Sequence, residues 1–178
     1  LEEEVKAANE EIRRLNRNLS HTEQDYHTAH TKLESLRNLA ERYDGYGNSI
    51  KRVMEVRDRI KGIHGVVADL IDVPKEYEIA IETALGGSIQ NIVTDSEQTA
   101  KVLIEHLKKN RFGRATFLPL SAISAGNGFN TPGALKEPGA IGIAADLVHV
   151  RPEYQTLARY LLGRVLVVDH IDKAIAIA

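Results

Sequence analysis

The feature of this sequence that most constrains its fold is an internal repeat. Residues 62–77 and 139–154 align without a gap, and eight of the sixteen positions are identical. The shared residues in the first copy are Gly62, Gly65, Ala68, Asp69, Leu70, Val73, Glu76 and Tyr77. After a short slip, residues 92–95 match residues 166–169. Such self-similarity predicts two copies of one supersecondary unit.

Both copies carry the same local signals. A Gly-x-x-Gly turn precedes an Asp-Leu pair, and a helix begins near Glu76 with apolar residues at helical spacing. The glycine that follows Leu85 or Leu162 is where the helix ends. A β-branched strand then spans residues 89–94 in the first copy and 165–168 in the second.

The first copy continues for about one more helix and strand. A helix spans residues 96–110, with Asp95 or Ser96 as its N-cap, and a last strand spans residues 115–118. Only four residues follow Ala174, the counterpart of Ala100. The sequence therefore predicts an α/β (α+β) fold with two small subdomains, the second incomplete at its C-terminus.

Residues 1–43 predict a long helix in a coiled coil. Apolar residues alternate at spacings of four and three without a glycine or proline. The strongest positions of this seam are Val5, Ile12, Leu15, Leu19, Tyr26, Leu33 and Leu36. A helix of this length extends ~65 Å, so its apolar stripe needs a partner helix of similar length. The alternative is a long helix packed on its own globular domain.

A cluster of helix breakers at residues 44–49 ends the coil. A short helix capped by Asn48 or Ser49 then runs to Lys61. The predicted organisation is a coiled-coil arm (1–43), a junction (44–61), subdomain I (62–120), a Gly/Pro-rich connector (121–138) and subdomain II (139–178).

Composition restricts the possible chemistry. The net charge is −2, so a nucleic-acid site must be a local patch rather than a global field. The absence of cysteine excludes disulfides, thiolate metal sites and cysteine nucleophiles. No apolar run approaches the ~20 residues of a membrane span, and the polar N-terminus is not a signal peptide.

Two basic clusters are candidates for phosphate contacts. The first comprises Lys51, Arg52, Arg57, Arg59 and Lys61, and the second comprises Lys101, Lys108, Lys109, Arg111 and Arg114 around Phe112. A solvated helix face is the favoured explanation of the first cluster. Pairing with the C-terminal helix dipole is the alternative for the second.

Catalytic and metal motifs are missing from the sequence. It contains neither a Walker phosphate loop nor a Gly-x-Gly-x-x-Gly turn. His27 and His30 share a helix face but have no third ligand nearby in sequence. Asp69 and Asp146 form a tempting carboxylate pair, but turn caps of a duplicated fold explain them more simply. We therefore predict a protein without catalytic, cofactor or metal residues.

Several stretches resemble the hinge domain of bacterial SMC (structural maintenance of chromosomes) proteins. They are Gly-Ile-His-Gly-Val-Val-Ala-Asp-Leu-Ile at 62–71, Tyr-Glu-x-Ala-Ile-Glu-x-Ala-Leu-Gly at 77–86, Ile-Val-x-Asp at 92–95 and Gly-Arg-Ala-Thr-Phe-Leu-Pro-Leu at 113–120. The resemblance covers roughly residues 45–178. A long coil that leads into the hinge is also typical of this family.

The resemblance implies a dimerisation hinge that holds two coiled-coil arms of a chromosome condensation and segregation protein. Its partners would be a second hinge, an antiparallel coil helix from a following C-terminal segment, and DNA without sequence preference. Kleisin and accessory subunits, ATP and Mg²⁺ would bind the distant heads of the parent protein, in the cytoplasm on the nucleoid. The family's glycine-rich dimerisation motif has no counterpart in this chain.

The strand that ends subdomain I is the candidate dimer edge. It comprises Arg114, Ala115, Thr116, Phe117 and Leu118. An edge strand exposes backbone groups that can recruit another strand. An alternative function from a different class is a duplicated α/β ligand-sensing domain on a coiled-coil stalk, which requires a concave apolar pocket with convergent polar groups.

Overall fold

A computed structural model describes residues 1–43 and 45–177, with the backbone alone for residues 39–42. The chain divides into two compact units, Leu1–Gly45 and Tyr46–Ala178. The first unit is built on one helix, α1 (Glu2–Arg42), with Glu2, Glu3 and Glu4 in its first turn, where carboxylates favour the helix dipole. The predicted long helix is confirmed.

The predicted seam of α1 forms a continuous exposed stripe. The side chains of Val5, Ile12, Leu15, Leu19, Tyr26, Leu33 and Leu36 are each between 44% and 63% exposed. Most helical stability in proteins comes from packing of the apolar face rather than from intrinsic propensity. A helix with this stripe would therefore gain most of its stability from packing of the stripe.

The second unit opens with the first copy of the repeat. Its elements are α2 (Asn48–Glu55), β1 (Ile63–Val66), α3 (Val67–Leu70), α4 (Glu78–Leu85), β2 (Ile92–Thr94), α5 (Glu97–Asn110) and β3 (Phe117–Pro119). The sheet order is β1-β2-β3, with β1 antiparallel and β3 parallel to β2. Short 3₁₀ turns at Lys75–Tyr77 and Gly86–Gln90 flank α4.

The second copy repeats this order. After a connector with a 3₁₀ turn at Pro132–Lys136 come β4 (Ala140–Ile143), 3₁₀ turns at Ala144–Asp146 and Pro152–Tyr154, α6 (Gln155–Leu162), β5 (Leu166–Val168) and α7 (Ile171–Ile177). β4 and β5 pair antiparallel. The predicted α+β fold with a duplicated unit is confirmed.

The duplication extends to the strand register. In the first copy Ile63, Gly65 and Val66 pair with Thr94, Val93 and Ile92, and in the second Ala140, Gly142 and Ile143 pair with Val168, Val167 and Leu166. Both ladders skip one residue at the same place, so both sheets carry the same bulge. The Gly-x-x-Gly segment was predicted as a turn, but it forms this bulged strand instead.

A glycine is required where each bulged strand begins. Gly62 has a φ of +94°, and a Cβ there would lie 2.5 Å from the Asp95 carboxylate. Gly139 has a φ of +96°, and its Cβ would lie 2.6 Å from Asp169. In both copies the aspartate N–H donates to the glycine carbonyl, at 2.8 Å and 2.9 Å. This clamp closes each hairpin-like unit and leaves no room for a side chain.

The two copies share one hydrophobic core. Residues from both copies are fully buried in it, including Ile81, Leu85, Val93, Leu157 and Leu162. The equivalent residues Asp72 and His149 pair with each other, each donating its N–H to the other's carbonyl at 2.9 Å and 2.8 Å. A reciprocal bond between equivalent residues places a local pseudo-two-fold axis between the copies.

The predicted helix from residue 48 to Lys61 was too long. α2 ends at Glu55, and turns cover residues 56–62. Its N-cap position is held by Gly47 without a side-chain bond, so the prediction of Asn48 or Ser49 as cap was wrong. Those two side chains instead bond carbonyls of the loop after α5.

The strands are shorter than predicted. The strand predicted from residue 89 begins at Ile92, because Gly86–Gln90 coils into a 3₁₀ turn. The strand predicted at 115–118 lies at Phe117–Pro119, and the strand predicted from residue 165 begins at Leu166. The N-cap Ser96 is confirmed, because its Oγ accepts from the Thr99 N–H at 3.3 Å.

Candidate functional site

Strand β3 lies at the edge of the first sheet. Ile92 N–H donates to the Thr116 carbonyl at 2.9 Å, and Leu120 N–H donates to the Thr94 carbonyl at 2.8 Å. In a parallel ladder alternate residues bond the same neighbour, so Phe117 and Pro119 point their backbone groups outward. Proline has no N–H to offer, which is typical of a protected edge. Phe117 therefore supplies the one outward N–H of this strand.

The predicted dimer-edge residues divide between loop and strand. Arg114 and Thr116 are exposed in the loop that leads into β3, and Ala115 between them is half-buried. Phe117 is half-buried, and Leu118 is buried in the core. Only the backbone of Phe117 can pair outward, so the candidate edge is narrower than the sequence indicated.

A second open edge lies at β5, in agreement with the sequence prediction that the second copy lacks a counterpart of the last strand. This strand corresponds to β2, which pairs on both sides. Among the residues that the structure describes, β5 pairs with β4 alone. The equivalents of the β2 groups that bond β3 are the backbone groups of Leu166 and Val168, and neither is a proline.

The structure brings the two basic clusters onto adjoining elements. The loop after α5 packs against the start of α2: Ser49 Oγ donates to the Arg114 carbonyl at 2.6 Å, and Asn48 Nδ2 to the Phe112 carbonyl at 3.3 Å. The Arg52 guanidinium lies 5.0 Å from the centre of the Phe112 ring, a cation–π distance. Residues far apart in sequence therefore form one surface, which we call the basic surface.

Two arginines of the first cluster have structural contacts. Arg52 Nη1 contacts Glu55 at 3.0 Å, and its Nε is buried without a hydrogen bond in the described structure. Arg57 Nη2 donates to the His64 carbonyl at 2.8 Å and so ties the turn after α2 to β1. These contacts hold both guanidinium groups at the protein surface rather than extended into solvent.

The remaining basic candidates are exposed, apart from Lys51. Arg59 and Lys61 lie on the turns after α2, and Lys108 and Lys109 lie in the last turn of α5, where cations favour the helix dipole. Arg111 ends α5 in a left-handed conformation with φ 55°. Lys51 lies on α2 and is half-buried. The side chains best placed to reach a phosphate are Lys108, Lys109 and Arg111.

A polar joint connects the first copy to the second. Tyr154, which is 2% exposed, contacts His64 Nδ1 through its hydroxyl at 2.8 Å, and Arg151 Nη2 donates to the same hydroxyl at 2.8 Å. The Arg151 guanidinium also lies 4.9 Å from the Tyr154 ring centre. Since Arg151 donates, the hydroxyl proton is available for His64 Nδ1. At the equivalent positions of the other half stand Tyr77 and Ile141, so this joint is specific to one half.

The only acid with a depressed pKa in the described residues is Asp95. A hydrogen bond from Thr99 Oγ1 at 2.6 Å is the largest cause that lowers the pKa of this carboxyl, followed by one from Ser96 Oγ at 3.0 Å. Ser96 is the N-cap of α5 and Thr99 lies in its first turn, and the carboxylate also faces Gly62. Asp95 is therefore a structural acid of the repeat rather than a catalytic one.

The described residues contain neither a metal cluster nor a helix able to span a membrane. No group of three His, Asp or Glu side chains comes together there. Two open grooves flank the Asp72–His149 pair, one of about 200 Å³ beside α4 and one of about 340 Å³ beside α6. Ligand sites of small molecules are concave pockets of ~300–1,000 Å³ that enclose most of the ligand. These open grooves give little support to a ligand-sensing domain.

Comparison with known proteins decides the family. The model of the SMC proteins flexible hinge domain matches residues 60–178. The chain belongs to the SMC hinge family. The match begins close to the first strand and covers both copies of the repeat, so the duplicated unit is the hinge fold. The resemblance found in the sequence is confirmed.

Curated relatives of this SMC hinge are chromosome partition proteins. It is 41% identical to that of Lactiplantibacillus plantarum over 83% of the chain and 13% of the relative, and 38% identical to that of Bacillus subtilis over 82% and 12%. The relative from Desulfitobacterium hafniense matches the whole chain at 36% identity and 15% of its own length. The chain thus spans about an eighth of these relatives.

Solved structures agree with the hinge fold. The asymmetric dimer of the Geobacillus stearothermophilus SMC hinge domain matches with a TM-score of 0.73 and 39% identity, over 91% of this chain and 67% of that one. The Pyrococcus furiosus Smc hinge domain with an extended coiled coil matches with a TM-score of 0.58 and 26% identity, over 97% and 58%. The family match favours the hinge over the ligand-sensing alternative.

Proposed function

We propose that this chain is the homodimerisation hinge of a chromosome condensation and segregation SMC protein. In this role it joins two coiled-coil arms and contacts DNA without sequence preference. The observation that carries the proposal is the hinge-family match over both copies of the repeat, preceded by a long helix with an exposed heptad seam. The relatives are chromosome partition proteins, which supports a role in chromosome partition.

Dimerisation is supported by the exposed strand edges. β5 offers the backbone groups of Leu166 and Val168, and β3 offers those of Phe117. The related Geobacillus hinge is described as a dimer. In the proposed dimer, subdomain I of one chain faces subdomain II of the other, and a segment that follows residue 178 completes the second sheet and supplies the antiparallel coil helix.

The rest of the parent protein follows from the family. We propose that ATP and Mg²⁺ bind in heads at the far end of the arms, together with kleisin and accessory subunits. The hinge itself has a mechanical rather than a chemical role. The parent protein would act on the nucleoid in the cytoplasm.

DNA contact is assigned to the basic surface. Charge reversal of Lys108, Lys109 and Arg111 should weaken binding of every DNA sequence alike and flatten the salt dependence, because phosphate contacts release counterions. Fluorescence anisotropy with two unrelated duplexes over a salt series measures this. A control chain reverses Lys75, Lys136 and Arg164, which are exposed elsewhere and give the same net charge. Equal losses in both variants would place the contact outside this surface.

A further inference from the structure

The solvent-facing side chains of α4 and α6 differ, and the repeat allows them to be compared position by position. These helices occupy the same place in the two copies and contribute Ile81, Leu85, Leu157 and Leu162 to the shared core. On the solvent side, Ile79 of α4 is 83% exposed, more than any other large apolar side chain described in residues 46–177. Tyr160 of α6 is 49% exposed. Burial of this side chain against a partner surface would remove apolar area from water.

The two faces are complementary position by position. Where α4 has Ile79, α6 has Thr156, and where α6 has Tyr160, α4 has Thr83. Each half therefore has a large apolar side chain where the other half has a small polar one. The charges change in the same way: Glu82 of α4 corresponds to Arg159 of α6.

The charged residues lie beside the apolar ones. Glu82 and Glu78 line the groove of about 200 Å³ next to α4, and Glu82 has no ion-pair partner among the described residues. Arg159 lines the equivalent groove of about 340 Å³ next to α6 and contacts Asp146 at 3.1 Å, while it remains exposed. An apolar centre with a charged rim is typical of a small protein interface.

We propose that this face binds the same face of a second copy of the chain, with α4 of one molecule lying on α6 of the other. A two-fold arrangement of this kind places Ile79 against Tyr160 and Glu82 against Arg159, twice per pair. The other two-fold arrangement would set α4 on α4, where the Glu82 carboxylates repel each other. The charge pattern selects the first. DNA is excluded as the occupant on the α4 side by its two carboxylates.

This contact goes beyond the proposed hinge dimer. It uses none of the edge residues at 114–118 or 166–168, so it would bring one hinge onto another rather than form the hinge. Two short helices bury little area, and small interfaces give weak and transient association. A trapping experiment is therefore better suited to it than a simple binding curve.

The chain contains no cysteine, which allows a disulfide-trapping test with single cysteines. A chain with Ile79→Cys is mixed with a chain with Tyr160→Cys under mild oxidation, and the mixed disulfide is measured on a non-reducing gel. The control replaces Ile79→Cys by Val102→Cys, on α5 and 43% exposed. We expect the 79–160 product to form at least about tenfold faster than the control product, because proximity sets the rate.

Charge-reversal variants test whether Glu82 of one chain faces Arg159 of the other. Glu82→Arg in the Ile79→Cys chain should slow trapping by about tenfold, because it faces Arg159. Adding Arg159→Glu to the Tyr160→Cys chain should restore it, since both contacts of the pair then join opposite charges. Sedimentation velocity of the Glu82→Arg chain without cysteines checks the loss independently. Trapping no faster than the Val102→Cys control, or a loss that the second reversal does not restore, would overturn the proposal.

Discussion

Gly62 shows how a single glycine fixes the backbone geometry at the start of the first copy. Its φ of +94° and the nearby Asp95 carboxylate both exclude a side chain. Gly62→Ala should lower the free energy of unfolding by about 2–3 kcal/mol, from backbone strain and displacement of Asp95. The matched control is Gly133→Ala, where a Cβ meets nothing within 4 Å. Chemical denaturation measures both, and equal stability of the two variants would contradict the clamp.

Tyr154 is one of the residues through which the second copy contacts the first. Tyr154→Phe removes the hydroxyl that bonds His64 and Arg151 and leaves both without that partner, so we expect a loss of about 1–3 kcal/mol of unfolding free energy. Tyr160→Phe is the control, because its ring is about half exposed. Thermal denaturation followed by circular dichroism compares them. A loss as small as that of the control would mean that the hydrogen bonds of Tyr154 do not contribute to the free energy of unfolding.

At the scale of elements, we propose that α1 depends on a partner helix for its stability. Leu15→Glu with Leu19→Glu places two charges in the seam and should weaken pairing of the arm while leaving residues 46–178 folded. Asn16→Glu with Asn18→Glu adds the same charges beside the seam and serves as the control. Circular dichroism should show reduced helix content only for the seam variant. Loss of the globular unfolding transition as well would argue against an independent arm.

The elements also show what the sequence could predict. Long periodic segments were found reliably: α1, α5 and the Ser96 cap follow from spacing and from a serine placed before a helix. The limits of the strands could not be predicted in the same way. Pairing with a neighbouring strand, rather than its own composition, determines where a three-residue strand begins and ends. The 3₁₀ turn at Gly86–Gln90 replaced the first half of a predicted strand for this reason.

The candidate site was only partly visible in the sequence. Its basic residues could be named, but their union into one surface depends on Asn48 and Ser49, which bond the loop after α5 instead of capping α2. Local sequence cannot show that a polar side chain prefers a distant carbonyl to its own helix end. The β5 edge, in contrast, was implicit in the repeat.

At the scale of the whole molecule, the repeat, the shared core and the Asp72–His149 pair describe one unit with internal pseudo-symmetry. Two of its sheet edges are candidates for strand addition: β3, through the backbone of Phe117, and β5, through the backbones of Leu166 and Val168. An edge of unpaired backbone groups recruits a strand when one is available. We therefore predict that dimerisation depends on strand completion at these edges.

Sedimentation equilibrium measures whether strand completion at these edges drives dimerisation. The chain is measured alone and then together with the C-terminal segment that follows it in the parent protein, with Glu82→Arg present in both to remove contact through α4 and α6. We expect the chain alone to be marginally stable or to associate without a defined mass, and the completed chain to give a single mass of two chains. A well-behaved monomer in both samples would contradict dimerisation by strand completion.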